Sequence, residues 1–186
     1  MGSETGLNSQ PEKTEIGMPA ANAPNEPKEH RTAGSTGSSA LDLLQQDHRE
    51  VEAYFQQYEE QGSDKEALAL KICLALEVHA RIEEEIFYPA ARDVIQNREL
   101  VTQAMVEHAS AKQLIADIEA MEAGDELHEA KVKVLAEQIR HHVEEEETEL
   151  FPEIREAGLD LEALGQRLAK RKTELFEQLA AGEDVE

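Results

Sequence analysis

The chain has 186 residues, of which 40% are hydrophobic and only 4% aromatic, and a formal net charge of -23. That length suits one globular domain plus extensions, while the charge excludes nonspecific nucleic-acid binding, which needs Lys and Arg against phosphates, and disfavours an anionic membrane surface. No segment reaches the length of a membrane span and the N-terminus lacks the charged and apolar blocks of a signal peptide, so a cytoplasmic location is expected.

Residues 1–38 hold most of the Pro, Gly, Ser, Thr and Asn and almost no large apolar side chains. Such a stretch buries too little surface to offset the entropy of ordering and reads as a disordered tail, with His30 incidental to any site. From Ala40 onward Ala, Leu, Glu and Gln dominate, and the apolar spacing is that of helices. A first helix over about 40–61 aligns Leu41, Leu44, His48, Val51, Phe55 and Tyr58. Gly62-Ser63-Asp64 breaks it, with Ser63 or Asp64 as the cap of the next. The second helix runs to about Pro89, which ends or kinks it, with helical continuation to Ile95. It presents Ile72, Ala75, Leu76, His79, Glu83, Ile86 and Phe87 together. Cys73, the single cysteine, leaves no partner for an intramolecular disulfide and reads as a buried small hydrophobe.

A third helix near 98–122 aligns Val101, Ala104, Met105, His108, Ala111 and Ile115, and Gly124 closes it. Asp125 caps a fourth over about 125–156, which aligns Leu135, Ile139, His142, Glu146 and Leu150 before Pro152. Gly158 stops that helix, and a fifth over about 160–181 carries Leu161, Leu164, Leu168, Leu175 and Leu179. The expected architecture is all-α: an antiparallel up-down four-helix bundle over 40–156, with the disordered N-terminal tail before it. The extra C-terminal helix packs across its outside or mediates association.

One polar pattern occurs twice within these apolar stripes. His79-Ala80-Arg81-Ile82-Glu83 precedes Phe87-Tyr88-Pro89, and His142-Val143-Glu144-Glu145-Glu146 precedes Leu150-Phe151-Pro152. Each copy has a lone histidine about thirty residues upstream, in Asp47-His48 and Glu107-His108. Residues four apart share a helix face, so His79 stacks on Glu83 and His142 on Glu146. A buried carboxylate without a partner costs roughly several kcal/mol, and two facing each other cost more; a cation between them removes the problem. Imidazole with carboxylate and no thiolate suits iron, manganese or zinc. Four histidines and two carboxylates are too many for one tetrahedral zinc and divide into two metals, each with two imidazoles, bridged by both glutamates. Ferritin-like bundles use Glu-x-x-His instead, and no histidine here has a glutamate three residues before it.

Over about residues 41–156 the order and spacing resemble the hemerythrin HHE family, four-helix bundles around a non-haem diiron centre. The resemblance implies two iron ions, with His48, His79, His108 and His142 as terminal ligands and Glu83 and Glu146 as bridges. It implies as partners a small diatomic or peroxide, such as dioxygen or nitric oxide, and an external redox partner for turnover. Where oxygen-carrying members have a further histidine one turn after the third helix's ligand, this chain has Lys112. Their final bridging carboxylate falls five residues after its histidine, which here is Glu147, whereas the internal repeat points to Glu146. A more open centre favours reduction of an oxidant, or iron or oxygen sensing, over reversible carriage.

Other polar residues read as peripheral. Glu84, Glu85, Glu144 and Glu145 form a solvated face, and His128 and His141 lie at the surface. Glu149 is a solvated glutamate near a helix end or a neighbour of the site, and Gln138 is placed to reach a histidine one turn away. Tyr58 and Tyr88 pack in the core, within reach of the centre.

Overall fold

In a computed structural model of the protein, the described residues are 38–122 and 125–180. The expected tail, His30 and Gly124 lie outside or largely outside them. Every regular element among the described residues is helical.

Helix α1, Ala40–Glu59, starts at a Ser39 capping box: the Ser39 hydroxyl accepts from the Asp42 amide, and Asp42 accepts from the Ser39 amide. Helix α2, Lys65–Ile82, is capped by Asp64 rather than Ser63, through the Ala67 amide. It does not stop at Pro89. A π-helical turn at Glu83–Phe87 carries it into α3, Tyr88–Val94. Helix α4 spans Arg98–Glu119 behind an Asn97 cap, and α5 spans Glu126–Glu145 behind Asp125. A second π turn, Glu146–Leu150, leads into α6, Phe151–Glu156. Gly158 then reverses the chain at φ +74°, and α7 follows over Leu161–Ala180.

The two π turns have one cause in common. Proline lacks an N–H and its ring crowds the carbonyl four residues back, which a regular α-turn does not tolerate. Just before each proline, the Tyr88 and Phe151 amides donate five residues back, to the Glu83 and Glu146 carbonyls. The widened turn relieves the crowding and shifts the side-chain register. As a result Phe87 and Tyr88 are both buried, and so are Leu150 and Phe151.

Short connections join α1, the α2–α3 rod, α4 and the α5–α6 rod into an antiparallel up-down four-helix bundle. Its core forms two clusters. Val51, Phe55, Ile72, Leu76, Ile115, Leu135 and Ile139 build one, and Leu44, Val78, Ile82, Phe87, Tyr88, Phe151 and Ile154 the other. Met105, expected to face inward, is 46% exposed: it stands one position from Ala104, whose side chain fills the inward-facing place. Helix α7 packs along α1 and α2 and buries Leu164, Leu168 and Leu175 in the second cluster.

Gly165 is where α7 touches the start of α1. A Cβ there would collide with the Ser38 carbonyl and stand 2.8 Å from the Ala40 nitrogen and 2.9 Å from the Ser39 carbonyl carbon. All of these are backbone atoms that do not swing aside. Gly165→Ala is therefore expected to destabilise the protein by about 1–3 kcal/mol, the usual cost of overpacking, as read by urea denaturation. Burial also pushes the Cys73 thiol up to about 12, helped by the nearby Glu119 and Glu77 carboxylates. At pH 8 almost none of it is thiolate, so a disulfide reagent should label native protein slowly and urea-unfolded protein quickly.

Candidate metal centre

His48 comes from α1, His79 from α2, His108 from α4 and His142 from α5, each buried. Glu83 and Glu146 open the two π turns and are 0% and 2% exposed. All six expected residues meet in one polar layer between the two apolar clusters.

The histidines pair. His48 Nε2 lies 3.2 Å from His79 Nε2, and His108 Nε2 lies 3.1 Å from His142 Nε2. Each glutamate spans the pairs. Glu83 Oε2 is 3.2 Å from His79 Nε2 and 3.4 Å from His108 Nε2. Glu146 Oε2 is 3.5 Å from His48 Nε2 and 3.7 Å from His142 Nε2. Glu83 Oε1 and Glu146 Oε2 are buried without a hydrogen-bond partner. Converging imidazole nitrogens, orphaned carboxylate oxygens and an absence of thiolate make up a donor set that fits borderline cations such as iron, manganese or zinc. The donors fall into two sets, His48, His79, Glu83 and Glu146, and Glu83, His108 and His142, each with its atoms mutually within 4.8 Å.

Without a cation the charges are balanced by protons. Burial lowers the His79 pKa, but the Glu83 and Asp47 carboxylates outweigh it and carry the ring up to about 10. His108 behaves alike and reaches about 9, with Glu83 and Glu84 opposing burial. Burial raises the Glu83 carboxyl, yet His79 and His108 hold it well below the usual carboxylate range. Tyr88 is driven well above the ordinary phenol value by burial and by Glu146 and Glu83, so it remains a donor. Its hydroxyl lies 2.8 Å from Glu146 Oε1, 3.2 Å from His108 Nε2 and 3.3 Å from Glu83 Oε2.

A second ring of carboxylates holds the outer face of every imidazole. Asp47 lies 3.5 Å from His79 Nδ1 and Glu107 2.8 Å from His142 Nδ1. Glu84 lies 3.1 Å from His108 Nδ1 and Glu147 2.8 Å from His48 Nδ1. A residue just before the first histidine of each half thus holds that half's second histidine. The residue after each central glutamate holds the other half's first histidine. These bonds fix which nitrogen points inward and aim it. Glu84 is consequently no solvated residue, contrary to the sequence expectation, because its carboxylate is held between His108 and Lys112 of α4. Glu147 lies outside His48, and Glu146 occupies the centre.

Several peripheral expectations change. His128 is buried, not at the surface, and its Nδ1 lies 3.4 Å from the Tyr58 hydroxyl at the far end of the bundle. Tyr58 is therefore remote from the centre, whereas Tyr88 enters it. Gln138 donates to the Glu107 carbonyl at 3.0 Å rather than to a histidine. Glu149, Glu144 and His141 are exposed. Glu85 pairs with Arg171 at 2.6 Å. A small cavity of about 20 Å³ opens beside the four histidines, lined mainly by aliphatic side chains such as Val51, Leu76, Ala111, Ile115, Ile139 and Val143, with Asp47 and Lys112 also at its wall. It has room for one molecule about the size of water or a diatomic.

The fold and this layer define a helical bundle built around a histidine–carboxylate cation site. The hemerythrin family, described as the hemerythrin HHE cation binding domain, matches residues 39–154. The chain belongs to that family. It is similar in fold to the crystal structure of a hemerythrin HHE cation-binding domain-containing protein from Mycobacterium kansasii, with 21% identity and a TM-score of 0.65 over 77% of this chain and 93% of that one. No curated protein matches.

Tyr88→Phe tests the layer without touching a histidine. Removing the hydroxyl leaves the buried Glu146 Oε1 without its donor, so metal-free protein should lose about 1–3 kcal/mol of stability, measured by chemical denaturation.

Proposed function

We propose that the protein is a non-haem diiron protein that binds or reduces a small oxidant, namely dioxygen, peroxide or nitric oxide. His48 and His79 would hold one iron and His108 and His142 the other, with Glu83 and Glu146 shared between them. The observation that carries this reading is that each central glutamate reaches one imidazole of each pair. Two irons held there supply Lewis acidity and one-electron redox chemistry.

The chain's own residues supply the rest. The apolar walls admit a small neutral molecule and exclude charged solutes and bulk water. Tyr88 keeps a proton on its hydroxyl beside both central carboxylates. The outer carboxylates keep the four Nε2 atoms aimed inward. Repeated turnover needs a reductant from outside, such as a redox partner of the cytoplasm. The other reading is a non-catalytic iron or oxygen sensor. It is favoured by the ion pairs that run from the site's surroundings to α7, Arg171 to Glu85 and Lys172 to Asp47.

Protein loaded anaerobically with ferrous iron and then exposed to air is expected to hold two irons per chain and to gain a near-ultraviolet charge-transfer band. His79→Ala should lose most of that metal, and Glu146→Gln more of it than Glu147→Gln. One metal or none, with no new band, overturns the diiron reading. Many turnovers of peroxide or nitric oxide per chain mark a catalyst; a single stoichiometric reaction with altered protease sensitivity marks a sensor.

A further inference from the structure

Beyond the four outer carboxylates lies one more set of donors, and it divides evenly. Gln45 Nε2 reaches Glu147 at 3.4 Å and Gln103 Nε2 reaches Glu107 at 3.0 Å. Lys112 Nζ reaches the two Glu84 oxygens at 2.7 and 2.6 Å, and Lys172 Nζ reaches Asp47 Oδ1 at 2.5 Å. In each histidine pair, then, one ring has a carboxylate backed by a neutral amide and the other a carboxylate backed by a lysine. His48 and His142 are amide-backed; His79 and His108 are lysine-backed.

The two lysines have different origins. Lys112 lies on α4, inside the bundle and inside residues 39–154, the span matched by the family. Lys172 lies on α7, outside that span. Its side chain is 25% exposed, while Asp47 beneath it is 6% exposed. Asp47 Oδ1 takes the lysine and leaves Oδ2 facing His79 Nδ1. Arg171, the preceding residue, clamps Glu85 through two nitrogens at 2.6 and 3.0 Å, and Gly165 seats the same helix against the start of α1. Helix α7 is thereby fixed in both position and rotation where Lys172 enters.

We infer that α7 is part of the metal centre: Lys172 is a positioning residue that holds Asp47 on His79 and gives one metal position the cationic backing that Lys112 gives the other. The inference rests on the reading of the histidine–glutamate layer as a metal site. Its electrostatic consequence has a definite sign. A cation beside Asp47 offsets the carboxylate's negative field at His79. Removing it leaves more negative charge beside one metal position, which favours the more highly charged, oxidised metal there.

The test uses full-length Lys172→Met and Lys172→Arg alongside Lys112→Met. In metal-free protein, Lys172→Met is expected to move the ring-nitrogen NMR resonances of His79 and leave those of His142 in place. In iron-loaded protein it should lower the midpoint potential of one of the two irons and change the Mössbauer signal of that iron alone. Lys112→Met should act on the other, and Lys172→Arg should retain wild-type behaviour. Folded Lys172→Met protein identical to wild type in both measurements overturns the inference and leaves the metal reading standing. A change that Lys172→Arg shares in full reports disturbed packing and also overturns it. A wild-type chain that takes up no iron overturns the metal reading itself, and the inference with it.

Discussion

Two carboxylates, Glu83 and Glu146, face each other in a layer with almost no solvent, and the arrangement around them follows from that constraint. Removing a charged carboxylate from water without a partner costs roughly several kcal/mol even after relaxation, so the layer must supply each with partners. Imidazoles supply the compensation: His79 and His108 as protonated partners in the metal-free protein, and all four as nitrogen donors converging on the layer. The imidazoles must then point one nitrogen inward, which requires something to hold the other. The outer carboxylates do so, and they in turn need donors, found in two lysines and two glutamines. Each ring of groups exists because the one inside it would otherwise be misdirected or uncompensated.

The apolar clusters on either side give this layer its position. On one side Phe151 stacks on His48 with ring centres 6.0 Å apart and planes at 12°, while Phe87 meets Phe151 edge-on at 5.8 Å. On the other, aliphatic side chains leave a small cavity against the histidines. One face of the layer is packed against aromatic rings and the other borders a space lined mainly by aliphatic side chains. The two faces of the layer are thus unlike: one is closed by ring packing, and the other borders the cavity.

Much of this was legible in the sequence because the relevant signals are local. Helix extents follow from apolar spacing and from Asp64 and Asp125 as caps. The six central residues stand out because polar side chains recur at matched positions on inward faces. What the spacing could not carry was the geometry produced by the π turns. A regular helix puts Glu84 among solvated neighbours and leaves Tyr88 as core packing. In the folded chain Glu84 instead meets His108 on the neighbouring helix, and the Tyr88 hydroxyl, just after the widened turn, meets Glu146. The burial of His128 has no local signature for another reason: its partner Tyr58 is 70 residues away, and no local pattern joins them. Lys172 was one charge among many on a helix with an apolar stripe, and only tertiary packing distinguishes it.

The crossed outer bonds bear on how such a site can arise. Glu84 serves His108 and Glu147 serves His48, so neither helical hairpin orients its own histidines alone. Both hairpins carry the same widened turn ahead of the same aromatic–proline step. Reciprocal contacts of this kind, in which one residue meets a second across an axis and the equivalents meet in return, are those of an isologous two-fold interface. The bundle thus has the internal logic of a homodimer whose subunits have become one chain. The two halves are not identical, since Asp47 is backed by a lysine and its counterpart Glu107 by a glutamine. Because both halves lie on one chain, the layer they build together is assembled within a single molecule and does not depend on protein concentration, as an interface between separate subunits would.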